Sequence, residues 1–76
     1  MSRWTLCKRR DFIRRVRRLG FDGPFVGWQY HFMVWGAERL AIPSNPEYSV
    51  PQLRVLIREV EAIIDCSVPL EEWQAL

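Results

Sequence analysis

This chain has one histidine, His31, and it lies in the aromatic stretch Gly27-Trp28-Gln29-Tyr30-His31-Phe32. Imidazole is the side chain best suited to moving a proton at neutral pH. Such a group can take a proton from an attacking hydroxyl or protonate a leaving oxygen. Tyr30 beside it carries a phenol, a class that ionises near pH 10 and is a poor base at pH 7. A phenol can still hydrogen-bond a phosphate or stack on a base. Gln29 offers an amide that can hydrogen-bond but carries no charge. Three roles are open to His31: a proton-transfer group, a ring bonded to backbone or to a neighbour, or a non-catalytic surface contact.

The second chemical feature is cationic. Residues 1–18 sum to +7 and residues 19–76 to −5, although the whole chain is only +2. Arg10, Arg14, Arg15, Arg17 and Arg18 fall within the single stretch KRRDFIRRVRRLGF. Such a basic element suits a polyanionic or acidic partner, RNA among them. The plainer reading is a solvated helix face that aids solubility. Cys7 and Cys66 lack zinc-site grouping, and one histidine does not complete such a site, so neither a metal nor another cofactor is expected. With no secretion signal in MSRWTLCKRR, free thiols and a cytoplasmic location are the expectation. No apolar run approaches the roughly 20 residues of a membrane span.

These groups must be positioned by a single domain, residues 1–76. A chain this short buries only about 60% of its unfolded surface, so its ten aromatic rings matter. In KRRDFIRRVRRLGF, Phe12, Ile13, Val16 and Leu19 recur at helical spacing, with the five arginines on the other arc. Gly20 is the expected stop. FDGPF reads as a turn. FVGWQYHFMVW reads as one or two strands broken near Gly27, Gly36–Ala37 as a tight turn and ERLAIP as the next strand. SNPEYSVP reads as a loop. Ser49 caps a second helix over Val50 to Ile64, with Pro51 in its first turn. After DCSVP, LEEWQAL makes a short last helix that folds Trp73 back onto the core. The sum is an α+β two-layer sandwich in the order α-β-β-(β)-α plus a short C-terminal helix.

KRRDFIRRVRRLGFDGPF, GWQYHFMVWGAERLAIPSNP, LRVLIRE and LEEW together resemble the HicA toxin family. These are small mRNA interferases of HicA–HicB toxin–antitoxin pairs. The resemblance covers nearly the whole chain, and its most specific parts are GFDGPF followed by G-x-x-x-x-F-M-V and the strand ending in IP. It implies a fold like the double-stranded-RNA-binding domain, RNA as substrate, a HicB-like antitoxin as partner and, where active, metal-independent endoribonuclease activity. The family's usual stretch resembles G-G-K-H-x-F-M. Alignment through Gly27, Phe32 and Met33 puts its histidine at Tyr30 and its lysine at Gln29, so His31 comes one residue late. EAIIDCSVP also lengthens the second helix where the family turns sooner.

One residue of shift swaps the face of a strand. If Gly36–Ala37 is a two-residue turn, Met33 faces Leu40 and His31 faces Ile42, toward the helices. Tyr30, Phe32, Val34, Arg39 and Ala41 then share the open face. A three-residue turn inverts this. A bulge near Gly27 would re-aim His31. The expected function is therefore RNA binding of HicA type, through Arg10, Arg14, Arg15, Arg17, Arg18 and Gln29. Tyr30 and His31 lie at the candidate catalytic position, with cleavage weakened or altered. The alternative is a catalytically inactive HicA-like module that binds RNA or an acidic, HicB-like protein. A third reading makes Trp28, Tyr30 and Trp35 anchors of a protein interface.

Overall fold

The structure is a computed structural model and describes residues 3–76. Its elements are β1 (Cys7–Lys8), α1 (Arg9–Leu19), β2 (Asp22–Val26), β3 (His31–Trp35), β4 (Glu38–Ile42), β5 (Glu47–Tyr48), α2 (Val50–Ile64) and α3 (Leu70–Ala75). Strands β2, β3 and β4 form an antiparallel meander, and β1 pairs antiparallel with β5. The protein is α+β, with two antiparallel sheets and three helices.

The helices follow their sequence patterns closely. Phe12 and Val16 of α1 are fully buried, and Ile13 and Leu19 pack on the core edge. Ser49 caps α2 by accepting from the Gln52 amide at 3.3 Å, and Leu53, Leu56, Ile57 and Val60 are buried. Trp73 of α3 is 2% exposed, 5.5 Å from the Phe12 ring.

Two expectations are corrected, and one choice between alternatives is resolved. FDGPF is not a turn: Asp22–Val26 is an edge strand whose pairing with β3 is interrupted between Asp22 and Phe25. Proline and glycine are admitted there because an edge strand at a bulge does not need every ladder hydrogen bond. Strands β1 and β5 fall where the sequence suggested helix start and loop. Their two residue pairs, Cys7–Tyr48 and Lys8–Glu47, are too short to leave a periodic signal. The Arg9 amide also donates to the Pro46 carbonyl at 2.9 Å, which satisfies one of the otherwise orphaned donors at the start of α1. The choice resolved is the strand register around His31, where the two-residue turn is the one formed. The β3–β4 turn has two residues, with Gly36 at φ +56°, a conformation glycine adopts without strain. Met33 thus pairs with Leu40 and His31 with Ile42. The three-residue turn is not formed, and the bulge sits in β2 rather than near Gly27.

Met33, Leu40 and Ile42 are at most 1% exposed and share one core with Phe12, Val16, Leu53, Tyr48 and Trp73. The helices therefore cover one face of the meander. Phe32, Arg39 and Ala41 mark the other face, which no helix covers.

Candidate nucleic-acid interface

Two sets of groups stand out, on different faces. The first is the outer side of α1. Arg10, Arg14, Arg17 and Arg18 are exposed and, with Ile13, line a shallow depression of about 440 Å³. The one ion pair among the described residues joins Arg14 to Asp11 at 3.8 Å, across exposed side chains. A pair so long and solvated contributes less than about 1 kcal/mol and leaves the guanidinium able to turn to a ligand. Arg14 also donates to the Leu76 carbonyl at 3.4 Å. Arg15 behaves differently. Its guanidinium carbon sits 5.4 Å from the centre of the Trp73 ring, a cation–π arrangement, and its Nε is buried without a hydrogen-bond partner. The packing of α3 against that flank of α1 draws Arg15 inward, so the outward cationic face is four arginines wide.

Arg9 is the residue that helical periodicity did not single out. Its Nε donates to the Pro43 carbonyl at 3.1 Å, and its Nη2 lies 2.9 Å from His31 Nδ1. The same Pro43 carbonyl accepts from the buried Tyr48 hydroxyl at 2.8 Å. Arg9 thereby ties the start of α1 to β3 and to the loop after β4. The only sequence signal was its place at the helix start, together with the register that turned His31 toward the helices. Beside it, Lys8, Arg9 and Arg10 join Ser44, Pro46 and Glu47 around an open depression of about 670 Å³.

The Arg9 contact decides what His31 can do. A guanidinium only donates, so Nδ1 must accept. The neutral ring then carries its proton on Nε2, with its Nδ1 lone pair engaged by Arg9. His31 in this arrangement is a hydrogen-bond donor through Nε2, suited to an anionic oxygen. Its ring is solvent-exposed rather than part of the core.

The second set lies on the uncovered face. Between β2 and β3, the Gly27 amide donates to the Tyr30 carbonyl at 3.0 Å and closes a loop over Trp28 and Gln29. A Cβ on residue 27 would stand 2.5 Å from that carbonyl, so glycine is required by close approach. Gly27, Trp28, Gln29, Tyr30, Phe32, Arg39 and Ala41 line a cleft of about 310 Å³. Trp28 is 97% exposed and Tyr30 54%. Arg39 holds its guanidinium carbon 4.6 Å from the Phe32 ring centre, and Phe25 packs on Phe32 with centroids 5.7 Å apart.

Tyr30 and His31, adjacent in sequence, are thus separated by the sheet: Tyr30 lines the cleft and His31 is bonded to Arg9 on the helix side. Gln29 goes with Tyr30. No three His, Cys, Asp or Glu side chains among the described residues gather as a metal site, and no described helix is long and apolar enough to cross a membrane. No protein-family model, no curated protein and no solved structure matches the chain.

Proposed function

We propose that this chain is a HicA-like RNA-binding protein of toxin–antitoxin type in which RNA cleavage is weakened. The observation that carries the RNA reading is the outer face of α1, where Arg10, Arg14, Arg17 and Arg18 are exposed with one long ion pair among them. Phosphates neutralised there would release counterions, the main source of affinity for a polyanion. The core order of helix, three-stranded meander and helix, followed by a short helix, supports a likeness to the double-stranded-RNA-binding fold and so to the HicA resemblance in GFDGPF and the strand ending in IP.

The Arg9–His31 contact favours the second reading, a HicA-like module that binds without cutting. Where the family carries its histidine this chain has a phenol, and the neighbouring imidazole has its Nδ1 lone pair engaged by a guanidinium. The partner is then RNA held through phosphates, with a HicB-like antitoxin or another acidic protein as the alternative occupant of the α1 face.

Titrating a short single-stranded RNA over a range of salt tests the binding. The affinity of the wild type falls with a slope of about 0.7 log units per tenfold salt for each phosphate contact. The Arg14→Ala/Arg17→Ala/Arg18→Ala variant gives a slope shallower by about 2. Salt-insensitive binding, or none, refutes the RNA reading. A metal-free cleavage assay on wild type, His31→Ala and Tyr30→Phe separates the two readings. Cleavage that disappears in His31→Ala makes the protein a nuclease, and absence of cleavage leaves a binding module.

A further inference from the structure

We propose that the cleft between the β2–β3 loop and the open sheet face is a stacking site for one unpaired nucleobase. This rests on the RNA reading above and adds to it the strandedness of the ligand.

The argument starts from what the cleft displays. Trp28 presents almost its whole indole to water, and a ring so placed gains most from a flat apolar partner that removes that surface. Tyr30 and Phe32 bring two more rings to the same cleft. Arg39 extends the π surface by lying over Phe32, and guanidinium planes stack on bases as aromatic rings do. Gln29 supplies an amide with both donors and acceptors, the combination that reads a base edge. Stacking platforms of this kind, with cations beside them, are how single strands are held.

Charge and size narrow the occupant. The lining contains a cation, Arg39, and no carboxylate, which suits a ligand attached to phosphates. A volume of about 310 Å³ lies at the small end of ligand sites and accommodates a base with part of its sugar. A stable protein interface takes about 800 Å² and about 20–30 residues from each partner, whereas seven residues line the cleft. Duplex RNA keeps its bases stacked and paired, so the cleft selects single strands.

The test compares three RNAs: a short single strand, the same phosphate–ribose chain without bases, and a duplex. Each is titrated against wild type, Trp28→Ala, Tyr30→Ala and the triple arginine variant. Trp28 is exposed enough that its truncation leaves the fold intact, and a thermal melt verifies this. Trp28→Ala and Tyr30→Ala each weaken the single strand at least about fivefold and leave the baseless chain and the duplex unchanged. The arginine variant weakens all three. Equal loss on the baseless chain, or wild-type affinity in both cleft variants, overturns the stacking site while the RNA reading stands. A concentration-dependent mass that Trp28→Ala abolishes makes the patch a protein contact and also overturns it. If the wild type binds none of the three RNAs, the RNA reading fails and the cleft with it.

Discussion

The outer face of α1 and the hairpin cleft differ in what holds them. The arginines project from a helix whose inner side is anchored by Phe12 and Val16, fully buried. The Phe12 ring packs edge-on against Tyr48 at 5.6 Å and beside Trp73 at 5.5 Å. The cleft depends on one backbone hydrogen bond, Gly27 to Tyr30, and one ring pair, Phe25 with Phe32, at the exposed end of two strands. A charged face can sit on any well-seated helix, because attraction to phosphates is long-ranged and tolerant of angle. A stacking site needs particular rings at particular spacings, and here a loop of four residues supplies Trp28 and Tyr30 while β3 supplies Phe32. The first region is seated directly on the core, and the second hangs from the exposed end of two strands.

The largest effect that separates the two comes from Trp73→Ala. Removing a buried indole of this size costs about 3–5 kcal/mol, comparable to the whole stability of a small domain. Urea denaturation should show the midpoint collapsing and α1 lost with it. A loss under about 1 kcal/mol would mean that α3 does not support the arginine face. Gly27→Ala strikes the other region. The new methyl meets the Tyr30 carbonyl, and relief of such overpacking costs about 1–3 kcal/mol. Amide chemical shifts should move between Val26 and Phe32 and stay in place along α1. Movement along α1 as well would join the two regions into one unit.

A smaller effect tests the support beneath Arg9. Burial pushes the Tyr48 hydroxyl above its ordinary value, with the Arg9 charge and hydrogen bond opposing that shift. As pH rises through about 10, the unfolded chain releases this proton before the folded one does. The unfolded state then binds fewer protons, so stability that is intact below pH 10 falls above it. Tyr48→Phe should cost about 1 kcal/mol at neutral pH and flatten the alkaline decline, as read from chemical melts at several pH values. An unchanged decline would place its origin elsewhere, as in the buried Cys7 thiol, which burial also pushes upward. The smallest effect is at His31. Nitrogen NMR should find the imidazole proton on Nε2 in the wild type and a mixture of tautomers in Arg9→Ala, with a stability loss of about 0.5–1 kcal/mol, since the Nε bond to the Pro43 carbonyl goes too. A mixture already present in the wild type would remove the case for an engaged Nδ1.

Much of the scaffold is legible in order along the chain. Ser49 announces α2, the apolar spacing of Phe12, Val16, Leu53, Ile57 and Val60 marks the buried stripes, and the Gly36–Ala37 turn narrows the β3–β4 register. Periodicity reports these because each is a local pattern repeated over several residues. The strand at FDGPF was not legible, since proline and glycine argue against strand until the pairing partner is known. The cationic face was legible as five arginines and is four, because Arg15 turns toward Trp73 from an element far along the chain.

Side-chain period along the chain is enough for the helix faces and for the concentration of positive charge near the start, and turn length narrows the β3–β4 register to two alternatives. Packing alone settles that Arg9 engages His31, that Arg15 turns inward, and that Tyr30 and Gln29 share the uncovered face with Arg39. Those arrangements join residue 9 with 31 and 15 with 73 by direct contact, and 29 and 30 with 39 around one cleft. They exist because burying the core brings α1, the meander and α3 together, and no local pattern in the chain encodes that closeness.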